Sequence, residues 1–155
     1  MSDKLGFDEQ AAHRYFSVTC FNRAWDLMDK AKRTPEEEEQ MIRLSLASQW
    51  HWTQREDFTK TNESVAHWQT SRIYVLLGQA ENARRYAKLS LAAASADGVT
   101  PFYVAYAYEA LARAESIAGN QLEMREYLTK ARESAEQITD AEERKMLNDG
   151  LATIK

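Results

Sequence analysis

Cysteine, proline and glycine are scarce in this sequence of 155 residues. Cys20 is the single cysteine, so these residues can form no internal disulfide and no thiolate metal site, which favours a reducing compartment. The two prolines and five glycines lie almost entirely where one helical pattern ends or the next begins. A β-rich domain would need more turn residues at closer spacing. The composition therefore favours an all-α fold.

An excess of positive charge is also missing. The chain has 24 acidic and 20 basic residues, a formal net charge of −4, so no basic field exists to attract phosphate backbones. Residues 1–6 lack the apolar segment of a signal peptide. No run approaches the roughly 18 apolar residues that a membrane span requires. We expect a soluble cytoplasmic protein that binds neither nucleic acid nor membrane.

Sequence motifs of catalysis are lacking as well. No serine lies in a Gly-x-Ser-x-Gly elbow, and no glycine-rich phosphate loop is present. His13 and His67 each follow a glutamate by four residues, but Glu-x-x-His and His-x-x-x-His pairs are missing, so we expect no metal site. The sequence predicts a non-enzymatic protein without a cofactor, although a catalytic site assembled only by the fold stays open.

What the sequence does contain is helical periodicity, with hydrophobic residues at 44%. The clearest start is Thr34-Pro35, a cap followed by proline at the first helical position, with Glu37 placed to complete a capping box. Asn62 is a candidate cap for a third helix. The patterns predict about seven helices, over residues 8–32, 35–52, 63–77, 80–96, 101–118, 121–138 and from 141 onward.

Two of the predicted turns have the same surroundings. Gly78 and Gly119 lie 41 residues apart, and Arg72 and Arg113 precede them by the same offset. A fixed offset between like elements is typical of helix-hairpin repeats. The sequence therefore predicts antiparallel helix hairpins in series.

The units at about 64–96 and 105–138 resemble tetratricopeptide repeats. The residues that carry the resemblance are Ser71, Tyr74, Gly78, Ala83, Ala87 and Ser90 in the first unit and Tyr108, Leu111, Ala112, Gly119, Leu128 and Ala131 in the second. The sequence departs from that family in its period of 41, in Met124 and Glu115 at signature positions, and in lacking a closing proline. The resemblance implies a short right-handed solenoid of antiparallel hairpins, one domain over residues 1–155, with 140–155 as a terminal capping helix.

The same resemblance implies a binding surface. In such solenoids the first helix of each pair lines a concave face, where Arg72 and Arg113 occupy groove-facing positions. Arginine can bind a carboxylate through two parallel hydrogen bonds. We expect this face to bind a peptide or a partner protein; in the alternative interpretation both arginines pair with acidic neighbours. The remaining candidates on this face are Val65, Trp68, Tyr106 and Glu109.

Two other hypotheses stay open. A small-molecule-binding protein or enzyme would use a pocket around Arg72 and the aromatic cluster Trp50, His51, Trp52 and His67. At about 100° per residue, Trp50 and Trp52 point roughly 200° apart, so we expect one in the core and the other partly exposed. Homodimerisation through an exposed end of the solenoid is the third hypothesis, because uncapped repeat ends tend to associate.

Overall fold

The computed structural model describes residues 6–155, which form seven α-helices and no strand. This confirms the predicted all-α class and the number of helices. Helices that are neighbours in the chain pack against each other. None of the helices in the described part is long and apolar enough to cross a membrane. The helices are α1 (Glu9–Met28), α2 (Pro35–Thr53), α3 (Lys60–Leu76), α4 (Ala80–Ala94), α5 (Pro101–Ala118), α6 (Gln121–Glu136) and α7 (Ala141–Leu151).

The helix starts follow capping chemistry, with one correction to the prediction. Thr34 caps α2 by accepting a hydrogen bond from the Glu37 N–H, but the Glu37 carboxylate bonds to Lys30 and does not return to the cap. The complete capping box belongs to Thr59 and Asn62, each of which accepts a hydrogen bond from the backbone N–H of the other. The third helix therefore begins at residue 60, and Asn62 lies inside it.

Three helices end two or more residues earlier than their apolar patterns predict. The first ends at Met28 because the Arg33 guanidinium folds back over its carboxyl end. Its Nη1 donates to the carbonyls of Leu27, Met28 and Lys30 at 3.4, 3.2 and 2.9 Å. The Leu27 carbonyl also accepts from the Lys30 N–H at 3.3 Å, and the guanidinium adds donors at a helix end, where regular intrahelical partners run out. The ends of α4 and α6 lie two residues before the predicted positions.

The turns at Gly78 and Gly119 have the same backbone geometry. Their φ angles are +71° and +79°, a region that glycine enters at little cost. The next residue in each turn donates its N–H to a carbonyl five residues earlier, Gln79 to Tyr74 at 2.9 Å and Asn120 to Glu115 at 3.0 Å. This is the Schellman arrangement that ends many helices. The spacing of 41 in the sequence is therefore matched in three dimensions.

The interior differs between the two ends of the molecule. Around α5, α6 and α7 it is apolar, built from alanines and the larger side chains Met124, Leu128, Ile138, Leu147 and Leu151. Between α2 and α3 it is partly polar, because buried Ser45 bonds to both Gln69 and Thr70. Gln69 also donates to a backbone carbonyl of α1, which ties the first three helices together.

The odd-numbered helices lie next to one another in chain order. Helix α3 contacts α1 on one side and α5 on the other, and α5 also contacts α7. Among the described residues, the even-numbered helices have no corresponding contacts with each other. Side chains from four odd-numbered helices can therefore line one continuous surface.

Candidate binding cleft

An apolar cleft of about 330 Å³ crosses the surface formed by the odd-numbered helices. Positions 65 and 68 on α3, and 102 and 106 on α5, are three or four residues apart, so each pair shares one helix face. Helices α1 and α7 contribute one residue each. We call this the aromatic cleft, and it is lined by Trp25, Val65, Trp68, Phe102, Tyr106 and Met146.

The rings of the cleft pack against one another. The Trp25 and Trp68 centroids are 5.7 Å apart at 33°, and Tyr106 meets Trp68 edge-on at 5.6 Å. Phe102 meets Tyr106 at 4.9 Å and 65°. Offset and edge-to-face pairs of this kind are favourable beyond the area they bury. Burial, together with the nearby Glu109 carboxylate, raises the pKa of Tyr106 to about 12, so this phenol stays neutral and the wall stays uncharged.

A buried carboxylate fixes the orientation of Trp68. Glu109 is only 2% exposed, and its Oε2 accepts a hydrogen bond from Trp68 Nε1 at 3.0 Å. Its Oε1 pairs with Arg113, whose Nη2 also donates to the carbonyl of Gly150 at 2.9 Å and to Thr153 Oγ1 at 2.8 Å. Glu109 and Arg113 therefore serve the fold, by joining the cleft to the end of the seventh helix.

Arg72 lies beside this network and is not part of it. It is half-buried one helical turn after Trp68, and within residues 6–155 it makes no hydrogen bond or ion pair. Burial and the neighbouring charge of Arg113 lower the pKa of Arg72, while Glu109 opposes that change. The two arginines thus differ: Arg113 is paired internally, whereas Arg72, one helical turn after Trp68 of the cleft, has no such partner among the described residues.

A second cavity, of about 210 Å³, adjoins the aromatic cleft at Val65. Arg55 stacks over the ring of Trp52, one of the residues that line this cavity, at 3.8 Å from the ring centroid. The two cavities together extend the apolar surface from α2 and the start of α3 to α7. The second cavity is lined by Val18, Phe21, Trp52, Thr61, Asn62, Val65, Ala66 and Tyr103.

The residues of the hypothetical small-molecule pocket lie at separate places. Trp50 is 56% exposed, whereas Trp52 is partly buried in the second cavity, so the two differ in exposure as expected but neither lies in the core. His51 faces His13 of α1. His67 lies against Tyr86 and lines a small cavity of about 60 Å³ between α2 and α3. These side chains and Arg72 do not line one common cavity.

Several residues of the cleft were not identified from the sequence. Phe102 lies one helical turn before Tyr106, so the helical spacing contained a signal for it. Trp25 and Met146 lie outside the two repeat-like units, and only tertiary packing brings them into the cleft.

The described part of the chain contains no group of three or more histidine, cysteine or acidic side chains arranged to hold a metal ion. No family model, no curated protein and no solved structure matches this chain. A functional assignment therefore depends on the geometry of the aromatic cleft.

Proposed function

We propose that this protein is a non-enzymatic module that binds a peptide or an extended segment of a partner protein in the aromatic cleft. In this proposal the helices stack as a short right-handed solenoid similar to tetratricopeptide repeats, with the odd-numbered helices on the concave side. Its support is the order of contacts among those helices, together with Trp68 and Glu109, which lie 41 residues apart and bond to each other.

The observation that carries the proposal is an apolar cleft with an unpaired arginine beside it. A half-buried cation without a partner is partly stripped of water, and a carboxylate from a ligand would supply a charge-assisted, two-bond contact. Aromatic walls that are already packed against each other offer apolar side chains a surface with little ordering cost. The ligand that fits is a peptide with apolar side chains and a carboxylate near them.

The dimensions suit an extended peptide. Packed helices lie about 8–10 Å apart, so three intervals from α1 to α7 span on the order of 27 Å. An extended chain advances about 3.3 Å per residue, and roughly eight residues would cross the surface. Successive side chains of such a strand point alternately toward the cleft and away from it. Apolar residues are therefore favoured at every second position of the peptide.

The test is selection from a library of random eight-residue peptides, followed by affinity measurement with the selected peptides. We expect Arg72→Ala to weaken binding at least tenfold, because a hydrogen bond to a charged group contributes about 1.5–3 kcal/mol and 1.4 kcal/mol is tenfold in affinity. Trp68→Ala should weaken binding of the apolar side chains. Arg85→Ala, which removes an exposed arginine of α4, is the matched control and should leave affinity unchanged.

The selection also has outcomes that would contradict the proposal. Peptides that bind both Arg72→Ala and Trp68→Ala with wild-type affinity would place the binding surface elsewhere. Failure to enrich any peptide over the double variant would argue against peptide binding in this cleft.

A second candidate function is binding of a small molecule in the cavity that contains Trp52. One specific observation favours it, namely the volume of about 210 Å³ with mainly apolar walls. Ligand pockets are usually about 300–1,000 Å³, so this cavity is small for the role. A thermal-shift screen against metabolites, repeated with Trp52→Ala, would support this function only if a stabilising compound loses its effect in the variant.

A further inference from the structure

A pair of histidines joins α1 to α2 away from the aromatic cleft. His13 Nδ1 and His51 Nδ1 are 2.9 Å apart, a hydrogen-bond distance, and His13 is only 7% exposed. A ring nitrogen of histidine accepts a hydrogen bond only where it carries no proton. One ring must therefore donate from Nδ1–H, and the other must be neutral with its proton on Nε2.

The pair is covered by aromatic rings. Trp50 meets both imidazoles edge-on, with centroids 5.5 Å from His13 and 5.0 Å from His51. Phe16 lies 5.3 Å from His51 on another side. These rings cover part of the contact and supply no hydrogen-bond acceptor for a second proton.

The charged groups around the pair come from three elements. On α1, Glu9 Oε1 lies 3.6 Å from His13 Nε2, and Arg14 is exposed. After α2, Arg55 donates to Ser17 Oγ and pairs with Asp57. On the first half of α3, which packs against α2, the titratable groups are Lys60, Glu63 and His67, and Glu63 contacts the other two. Glu9 is thus the acidic group in contact with the pair.

The first and second protons have different consequences. With one proton added, an imidazolium can still donate to its neutral neighbour, and Glu9 lies beside His13 to balance the charge. With two protons added, both Nδ1 atoms carry hydrogen, so the contact is lost and two positive charges face each other. Burial, and then the charge of His13, lower the pKa of His51 from its ordinary value of 6.5.

We propose that the His13–His51 contact is a pH switch that loosens the packing of α1 on α2 when the second proton binds. Because the unfolded chain takes up this proton at about pH 6.5, the contact contributes its full stability above that value. The contribution falls below pH 6.5 and is lost as the pH passes through the lowered pKa of the folded pair.

The switch lies next to residues that form the cleft. Trp52 follows His51 directly, and α1 carries Val18, Phe21 and Trp25, which line the two cavities. Loosening α1 would therefore move one wall of the binding surface. The effect on ligand affinity rests on the proposed function, whereas the effect on α1 packing does not.

Nitrogen-15 NMR of the wild-type imidazoles tests the switch directly. We expect one Nδ1–H and one Nε2–H tautomer in the pair at pH 7.5. On acidification the pair should titrate in two separated steps, the second below pH 6.5. In His51→Phe, which keeps a ring against Phe16 and Trp50, the second step should be missing. His67→Gln is the matched control and should leave both steps of the pair in place.

Amide hydrogen exchange supplies an independent measurement. After correction for intrinsic rates, opening of α1 should increase below pH 6.5 by up to about tenfold per pH unit, the limit for one proton. The increase should be missing in His51→Phe, and α6 should not show it. Independent titration of His13 and His51 in one ordinary step would overturn the inference, even if the variant fails to fold. Equal acid responses in α1 and α6 would also overturn it.

A last measurement connects the switch to the cleft. Peptides selected for binding should lose affinity on acidification with the wild type and keep it with His51→Phe. If no peptide binds at any pH, the proposed function fails, while the NMR and exchange results still decide the switch. If peptides bind and the two proteins respond equally to acid, the connection to the cleft is wrong.

Discussion

The α3–α4 and α5–α6 hairpins share a backbone design and differ in chemistry. Both turn at a glycine with positive φ and the same pair of hydrogen bonds. Yet the helices of the first hairpin meet through hydroxyl groups, with Ser64 bonded to Ser90 and Ser71 bonded to the carbonyl of Ala83. The second hairpin has Met124 and Leu128 in an apolar cluster. The backbone spacing is thus compatible with two kinds of interior.

The difference that bears on function lies four residues before each arginine. Arg113 follows Glu109 and pairs with it along one face of α5. At the equivalent position before Arg72 stands Trp68, which cannot pair with the guanidinium as a carboxylate does and instead donates to Glu109 across the helices. At this position one hairpin therefore has a glutamate and the other a tryptophan. The glutamate forms an internal ion pair, whereas the tryptophan forms a wall of the cleft and leaves Arg72 without an ion pair among the described residues.

The largest effect on stability should come from changing the buried residue at a position that the two hairpins have in common. Ile73 is fully buried, and the residue 41 positions later is Ala114. We expect Ile73→Ala to lower the free energy of unfolding by about 3–4 kcal/mol through lost burial and a cavity. The reverse change, Ala114→Ile, should cost about 1–3 kcal/mol by overpacking. Urea unfolding measures both.

The exposed neighbour Leu76 serves as the control for these core changes. It is 38% exposed on the same helix, so Leu76→Ala should cost clearly less than Ile73→Ala. If Ile73→Ala and Leu76→Ala destabilise equally, the position of Ile73 in the core is wrong.

Removing each arginine in turn should distinguish the arginine that stabilises the fold from the arginine proposed to bind a ligand. Arg113→Ala leaves the buried Glu109 without its cation, and we expect a loss of about 2–3 kcal/mol in the free energy of unfolding. Arg72→Ala breaks no ion pair among the described residues and removes a partly buried charge, so stability should change by less than about 0.5 kcal/mol. Thermal unfolding of the two variants side by side is the measurement. A loss in Arg72→Ala as large as in Arg113→Ala would mean that both serve the fold.

A smaller loss than that expected for Arg113→Ala concerns the turns that the hairpins share. Gly78→Ala and Gly119→Ala should each cost about 1 kcal/mol, because alanine is strained at positive φ. Nothing lies within 4 Å of the added Cβ at either position, so strain is the main contribution and the two costs should agree. Gly150→Ala, inside α7 and also without close neighbours, should instead stabilise the protein. Costs that differ clearly at the two turns would contradict their equivalence.

The sequence predicted features with local causes. Prolines after Thr34 and Thr100 marked helix starts, and glycines marked turns, because their backbone preferences act without tertiary contacts. The start of α3 was misplaced because Asn62 and Thr59 are both capping residues, and hydrogen bonds in both directions select Thr59. The resemblance to tetratricopeptide repeats implied that Val65, Trp68, Arg72, Tyr106, Glu109 and Arg113 would share one face, and three of them, Val65, Trp68 and Tyr106, line the aromatic cleft.

Tertiary packing determined the rest of the cleft. Helix α7 brings Met146 to the cleft, and α1 brings Trp25, although neither belongs to a repeat-like unit. The distinction between the two arginines was present in the sequence as Trp68 and Glu109. Its consequence depends on tertiary structure, in which Glu109 bonds both to Trp68 and to Arg113.

The contacts of Arg113 with the end of α7 have a practical consequence for handling this protein. Its Nη2 binds Gly150 and Thr153, and nearby Ser116 Oγ donates to the carbonyl of Lys155 at 2.5 Å. An affinity tag or a surface linkage attached at residue 155 would therefore pull on the segment that anchors one wall of the cleft. Immobilisation through an exposed side chain of α4 or α6 would leave that wall undisturbed during peptide selection.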